Sequence, residues 1–280
     1  MTGAEALVAA RRRLEAAGLP GSDAMVLMAH AFGLDHPRHA DRPELAGPLP
    51  AEVADRFDKA MAARLARQPV SHIRGWRQFW KHRFNITPDV LDPRPDTETL
   101  VAAALGEPFG RVLDLGTGSG CILISVLVDR PDATGLGTDL SPAALAVARA
   151  NARDLGVAAR AEFALSDWFA DVAGRFDLIL SNPPYIAADE LPGLAPEVRD
   201  HEPLMALSPG GDGLGAYRTI ARGVRRHLTP GGRVLLEIGP TQGAAVAALL
   251  RDAGLTGITI LPDLDRRDRV VAARAPQGDA

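Results

Sequence analysis

From residue 94 onward the chain alternates short apolar runs with helical stretches, and that order of elements admits little other than a doubly wound α/β sheet. Strands are expected at 111–115, 133–138, 161–165, 176–181 and 232–238, and two short ones at 256–261 and 269–274 complete a seven-stranded sheet. Helices are expected at 121–128, 141–155, 215–228 and 242–253. In an open sheet of this kind ligands bind beyond the carboxyl ends of the strands, so the residues that end each strand are the ones to inspect.

The first strand runs into Asp114-Leu115-Gly116-Thr117-Gly118-Ser119-Gly120, then a helix. Glycines there let the backbone approach a ligand, and the helix N-terminus offers unpaired N–H groups. The spacing is not the dinucleotide fingerprint, because counting from Gly116 its last glycine position falls on Cys121, and no Gly-Lys-Ser/Thr follows to make a phosphate loop. Glycines spaced G-x-G-x-G behind an acidic residue suit a cofactor with a positive centre and no pyrophosphate. Asp139 ends the second strand, where a carboxylate can accept hydrogen bonds from both ribose hydroxyls or cap the helix that follows. Asp167-Trp168 follows the third strand, where an acceptor and a ring suit an adenine.

The fourth strand, 176–181, stops at Asn182-Pro183-Pro184-Tyr185. Two prolines cannot donate to a strand ladder, so the motif is either a strand-terminating turn or a site with an amide, a rigid backbone and a ring at its mouth. The site reading has a specific chemistry. With the strand ends above, the tetrapeptide resembles that of methyltransferases acting on planar, sp²-attached nitrogens, and this implies that, because an amide NH₂ is a poor nucleophile, the Asn182 side-chain oxygen and the Pro183 carbonyl would each accept one of its hydrogens and free the lone pair for in-line attack. Tyr185 would stack on the planar group.

The first 69 residues read as a small bundle of helices, with Val53, Phe57, Met61 and Leu65 recurring every four residues. Residues 70–93, rich in aromatic and β-branched side chains, are expected to form a β-hairpin linker, and 94–280 the sheet domain. Residues 1–85 hold 13 basic against 9 acidic residues and the remainder 18 against 26, so the sheet domain has no general attraction for nucleic-acid phosphate. A single cysteine excludes a disulfide framework, and His30, His36 and His39 are too loosely spaced, and lack a carboxylate cluster, to suggest a metal. No apolar run reaches the length of a membrane span, and a cytoplasmic protein is expected.

Taken together, these segments resemble the S-adenosylmethionine-dependent methyltransferases that act on sp²-attached nitrogens. Within them the chain is similar to the HemK/PrmC family of peptide chain release factor glutamine methyltransferases. The residues that carry the resemblance are Gln68 with Pro69 to Gly75, Phe79-Trp80, Pro93-Arg94-Pro95-Asp96-Thr97-Glu98, the glycine turn, Ser166-Asp167-Trp168, Asn182 to Tyr185, Val198 with Arg199 to Pro203, and Asp268-Arg269-Val270-Val271. The tetrapeptide at 182 is shared with DNA and RNA amino-methyltransferases; the segments at 93 and 202 are more specific.

The resemblance implies a Rossmann-like methyltransferase domain, S-adenosylmethionine as cofactor, and as substrate the glutamine of the Gly-Gly-Gln motif in class I release factors. It places the cofactor on Gly116, Thr117, Gly118, Ser119, Gly120, Asp139, Asp167, Trp168 and Asn182, and the glutamine on Asn182, Pro183, Pro184 and Tyr185. Asn182, Pro183 and Tyr185 are the expected catalytic set, no metal is expected, and the N-terminal helices would dock the release factor. A monomer that needs no nucleic acid follows from the same reading. The alternatives are an amino-methyltransferase for adenine or guanine, which would want a basic groove, and a non-catalytic cofactor-binding adaptor, which an intact tetrapeptide opposes.

Overall fold

The computed structural model describes residues 2–35 and 45–277. The chain divides into two compact units, one of residues up to 75 with 195–201, the other of 76–194 with the chain from 202. His36 and His39 lie outside the described residues.

The first unit is helical: α1 (Gly3–Ala16), α2 (Asp23–Ala31), α3 (Ala51–Leu65) and a short α4 (Val70–Arg74). Thr2 and Glu5 form a reciprocal capping box that satisfies two of the free N–H groups at the start of α1. Leu14, Leu27, Met28, Phe57 and Met61 close a core belonging to this unit alone. Arg64, buried on α3, donates to Asp23 at 2.8 Å and to Glu197 at 3.3 Å, which ties the segment 195–201 to the helices. Val70 and Ile73, expected in a hairpin, are helical. Pro69 presets the entry, Gly75 ends the turn at φ 76°, and their i, i+3 spacing turns both side chains onto the helical core.

In the second unit the hairpin is shorter than expected, β1 (Trp76–Phe79) and β2 (His82–Asn85). Phe79 and Phe84 meet edge-to-face with centroids 6.0 Å apart and are buried in the main core. The Trp80 backbone N–H donates to Glu98 at 2.7 Å and its indole N–H to Asp129 at 3.0 Å. Both N–H groups of the tryptophan are thus satisfied within the fold.

The seven-stranded sheet comprises β3 (Arg111–Leu115), β4 (Thr134–Asp139), β5 (Ala161–Leu165), β6 (Phe176–Ser181), β7 (Leu228–Glu237), β8 (Thr256–Pro262) and β9 (Asp268–Arg274). Its order is β5-β4-β3-β6-β7-β9-β8, with β3 to β7 parallel and β9 antiparallel to both neighbours. Helices α5 (Glu98–Leu105), α6 (Cys121–Asp129) and α7 (Pro142–Asp154) cover one face; α8 (Gly215–His227) and α9 (Gly243–Asp252) cover the other. Strand periodicity assigns the layers: Val112, Leu178 and Leu180 face the first set, and Leu113, Leu115 and Ile179 the second. Successive strands leave β3 in one direction and return through β6 in the other, so the topological switch lies between these two strands. Leu115 pairs with Ser181 there, which puts the glycine turn beside the 182–185 tetrapeptide. Among the described residues no helix is long and apolar enough to cross a membrane.

Candidate active site

The strand ends predicted to converge do so around one cavity of about 540 Å³ within the second unit. Gly116, Thr117, Gly118, Ser119, Asp139, Asp167, Trp168, Asn182 and Pro184 line it. Gly120, Pro183 and Tyr185 do not. A Cβ on Gly120 would come within 2.8 Å of Ile124 Cδ1 and 3.2 Å of Ala148 Cβ, so this glycine is needed for helix packing. Pro183 is buried, and the half-buried Tyr185 packs on the sheet face under α8 while its carbonyl accepts from Gln242 Nε2 at 2.9 Å.

Gly116 and Gly118 hold φ of 68° and 54°, and nothing lies within 4 Å of where their Cβ atoms would be. Their conformation needs glycine, and the empty space in front of them is cavity. The Thr117 hydroxyl donates to Asp114 Oδ2 at 2.6 Å, and the Thr117 N–H to the Thr138 carbonyl at 2.8 Å. Asp114 is fully buried, and its Oδ1 has no hydrogen-bond partner among the described residues. Burial pushes this carboxyl up to about 7, although the Thr117 hydrogen bond acts in the other direction.

Asp139 is placed by two backbone donors, Gly118 N–H to Oδ2 and Ser141 N–H to Oδ1, each at 2.9 Å. Ser141, not Asp139, caps α7, with its hydroxyl accepting from the Ala144 N–H. Since each carboxylate oxygen accepts more than one donor, Asp139 is held rigidly and keeps lone pairs for a pair of hydroxyls. Trp168 stands in the left-handed region at φ 54°, with its carbonyl held by the Ser166 hydroxyl at 3.0 Å. An unpartnered buried acid, a cradle a Cβ would fill, and a carboxylate with spare acceptors fit a nucleoside joined to a cationic chain.

Asn182 leaves β6 with Nδ2 donating to Thr97 Oγ1 at 3.3 Å, and Oδ1 has no partner among the described residues. Behind Thr97, Glu237 ends β7 fully buried. Burial pushes its carboxyl up to about 7, with the nearby Thr97 hydroxyl and the charge of Arg269 acting in the other direction, and its Oε2 has no hydrogen-bond partner among the described residues. The segment at 93–98 is anchored throughout: Arg94 to Glu202, Asp96 to Arg269 at 3.2 Å, and Glu98 to the Trp80 N–H. Arg94 also lines the cavity, together with Leu91, Pro93 and the half-exposed Met205.

Thr97 and the wall residue Met205 are among the members that sequence reading misses; Thr97 stands in a segment quoted only for its resemblance, and nothing in a single chain marks a threonine as a neighbour of Asn182. Cys121 is buried at the cavity edge, and burial pushes its thiol up to about 12, far from nucleophilic use. Among the described residues no cluster of His, Cys, Asp and Glu could hold a metal ion.

Two protein-family models match the chain: the PrmC N-terminal domain over residues 5–75 and the methyltransferase small domain over 91–197. A release factor glutamine methyltransferase from Cereibacter sphaeroides is 62% identical over 278 residues, 99% of each chain. Another of that name from Moorella thermoacetica is 43% identical, covering 98% of both chains. A methyltransferase structure from Pyrococcus furiosus covers 79% of this chain and all of its own with a TM-score of 0.55, at 15% identity, a likeness of fold.

Proposed function

The chain belongs to the release factor glutamine methyltransferase family, and from that premise we propose that it methylates the side-chain nitrogen of the glutamine in the Gly-Gly-Gln motif of class I peptide chain release factors. It uses S-adenosylmethionine, works as a monomer in the cytoplasm, and needs no nucleic acid. The helical unit docks the protein substrate. The observation that carries this reading is Asn182 at the end of β6, beside the glycine turn, with its Oδ1 unengaged at the cavity.

The cofactor, when bound, supplies an electrophilic methyl on a sulfonium. The Gly116 to Ser119 backbone admits it, Asp114 balances its positive charge, Asp139 accepts from the ribose, and Asp167 with Trp168 holds the base. Asn182 Oδ1 and the Pro183 carbonyl accept the two hydrogens of the glutamine NH₂. That holds the nitrogen short of the planar geometry in which its lone pair is delocalised, and points the pair at the methyl group. Pro184 lines the slot, and Tyr185, packed outside the cavity on the sheet face, braces the tetrapeptide through its carbonyl, which accepts from Gln242. With the cofactor bound, the N–CH₃ bond would form as the sulfonium S–CH₃ bond breaks to leave a neutral thioether, and the nitrogen would lose one hydrogen to solvent as a proton, so no dedicated base is required.

The test offers methyl-labelled S-adenosylmethionine and a class I release factor to the wild type and to Asn182→Ala. Loss of transfer by at least 100-fold with cofactor affinity kept within a few fold is expected. Unchanged turnover in the variant, or label on nucleic acid in place of the release factor, would reject the reading.

A further inference from the structure

Asn182 and Pro184 line the cavity, so whatever holds the backbone from 182 to 185 decides where both of them stand. Two of these four residues are prolines, which fix φ and carry no N–H, so the stretch has few hydrogen bonds of its own to hold it. The surrounding chain anchors it instead. Ahead of the tetrapeptide the Ser181 hydroxyl donates to the Leu115 carbonyl at 2.7 Å, and just after it the Ile186 N–H donates to the Leu207 carbonyl at 3.0 Å. Within it, the Tyr185 carbonyl accepts from Gln242 Nε2 at 2.9 Å, across 57 residues of sequence.

A glutamine amide can face either way, since its oxygen and nitrogen ends have nearly the same shape. Here both partners are backbone groups of fixed role. The Gly239 N–H, which only donates, meets Gln242 Oε1 at 3.0 Å; the Tyr185 carbonyl, which only accepts, meets Nε2. Reversing the amide would break both bonds, so one orientation is set whatever the charge of any side chain nearby. The residue that carries the amide is pinned as well, because the Gln242 N–H donates to the Gly239 carbonyl at 3.0 Å where the chain enters α9. Gly213 leaves room for the arrangement. It holds φ of 77°, and a Cβ there would stand 2.4 Å from the Tyr185 carbonyl oxygen and 3.0 Å from Gln242 Nε2, so only glycine lets the backbone close over this bond.

Resting on the role of Asn182 and its tetrapeptide given above, we propose that Gln242 is a positioning residue for methyl transfer. Its NH₂ holds the Tyr185 carbonyl, and through two prolines of fixed φ that anchor sets where the Asn182 side chain and the Pro183 carbonyl meet the glutamine. Gln242 is not among the residues that line the cavity, and it acts through the tetrapeptide alone.

The experiment compares steady-state methylation of a release factor by the full chain and by Gln242→Glu, Gln242→Met and Asn182→Ala at pH 8, with cofactor affinity measured on each. Gln242→Glu keeps an acceptor for Gly239 and, ionised, has no proton for Tyr185; Gln242→Met keeps the length and offers neither bond. Both should lower kcat about 10- to 100-fold, with KM and cofactor Kd changed far less. A spectroscopic readout accompanies the rates. Tyr185 and Tyr217 are the only tyrosines of the chain, so tyrosine labelled with ¹³C at its carbonyl gives two signals. The Tyr185 signal should move upfield in both variants as its hydrogen bond is lost, while that of Tyr217, inside α8, stays. A wild-type rate in Gln242→Glu overturns the proposal, as does a raised KM with kcat unchanged, or a lost rate with the Tyr185 signal unmoved. Should the methionine variant fail to fold, the glutamate variant, which retains the Gly239 bond, decides alone. An inactive Asn182→Ala beside a fully active Gln242→Glu sinks this inference alone, whereas an active Asn182→Ala sinks the reading on which it rests.

Discussion

One nitrogen of Arg94, Nη2, reaches both oxygens of Glu202, at 2.6 and 2.7 Å, across 108 residues of sequence. Glu202 has a side chain 1% exposed, and Arg94 forms part of the cavity wall. The ion pair therefore fastens the segment entering α5 to the segment after residue 201. Burial, with Asp92 nearby, pushes the Glu202 carboxyl up to about 7, while the Arg94 guanidinium pulls the other way.

Replacing one partner should cost more than replacing both. Arg94→Ala leaves a buried carboxylate unpaired and should lower unfolding free energy by about 1–3 kcal/mol at pH 8. The loss should be smaller at pH 6, where Glu202 takes up a proton. The double variant with Glu202→Gln should recover part of it. Denaturant titration at both pH values checks this, and strictly additive losses would contradict the coupling.

Two glycines of the turn, Gly118 and Gly120, should separate by function. Gly118→Ala places a methyl in open cavity space at φ 54°, so cofactor affinity should fall at least tenfold while the fold loses about 1–2 kcal/mol. Gly120→Ala meets Ile124 and Ala148 and should chiefly lower the melting temperature. Isothermal titration with S-adenosylmethionine beside thermal unfolding reads both.

Stability and cofactor binding should respond to pH in opposite senses. Asp114, Glu202 and Glu237 all have folded-state carboxyls pushed up to about 7. Between the ordinary carboxylate range and about 7 the folded protein holds more protons than the unfolded chain, so stability from these groups falls as pH rises through that window. The melting temperature should decline from pH 5 to 7.5, less steeply in Asp114→Asn. A cationic cofactor favours ionised Asp114, so its affinity should rise with pH up to about 7 and then level. Titration in buffers of different ionisation enthalpy should show proton release near neutrality, and none in Asp114→Asn.

Asp139→Asn should weaken the cradle without removing it. One of the two backbone donors, Gly118 N–H or Ser141 N–H, would face an NH₂ group. Cofactor affinity should drop about 10- to 100-fold through misplacement of the glycine turn, a change visible by titration while secondary structure by circular dichroism is kept.

Much of this architecture is legible in the chain because it depends on local pattern. Apolar runs locate β3 to β9 to within a few residues, and the turn at 116–120 follows from its glycines alone. The parts that are not legible come from tertiary override. Val70 and Ile73 carry strand propensity, yet Pro69 and Gly75 bound a helical turn whose apolar edge has a core to meet. The helix at Glu98–Leu105 goes unanticipated because the prolines before it read as linker. The partnership of Asn182 with Thr97 spans 85 residues and depends on α5 packing across β6 and β7.

Strand β9 comes last in the sheet's sequence order but sits inside it, between β7 and β8. Until residues 268–274 exist, β7 presents a bare apolar edge and β8 has nothing to pair with. A polypeptide interrupted during synthesis before Asp268 would thus carry the complete glycine turn and tetrapeptide and still be a template for aggregation. Every residue of the cavity wall has by then been made, so the site's residues are complete before the sheet that holds them.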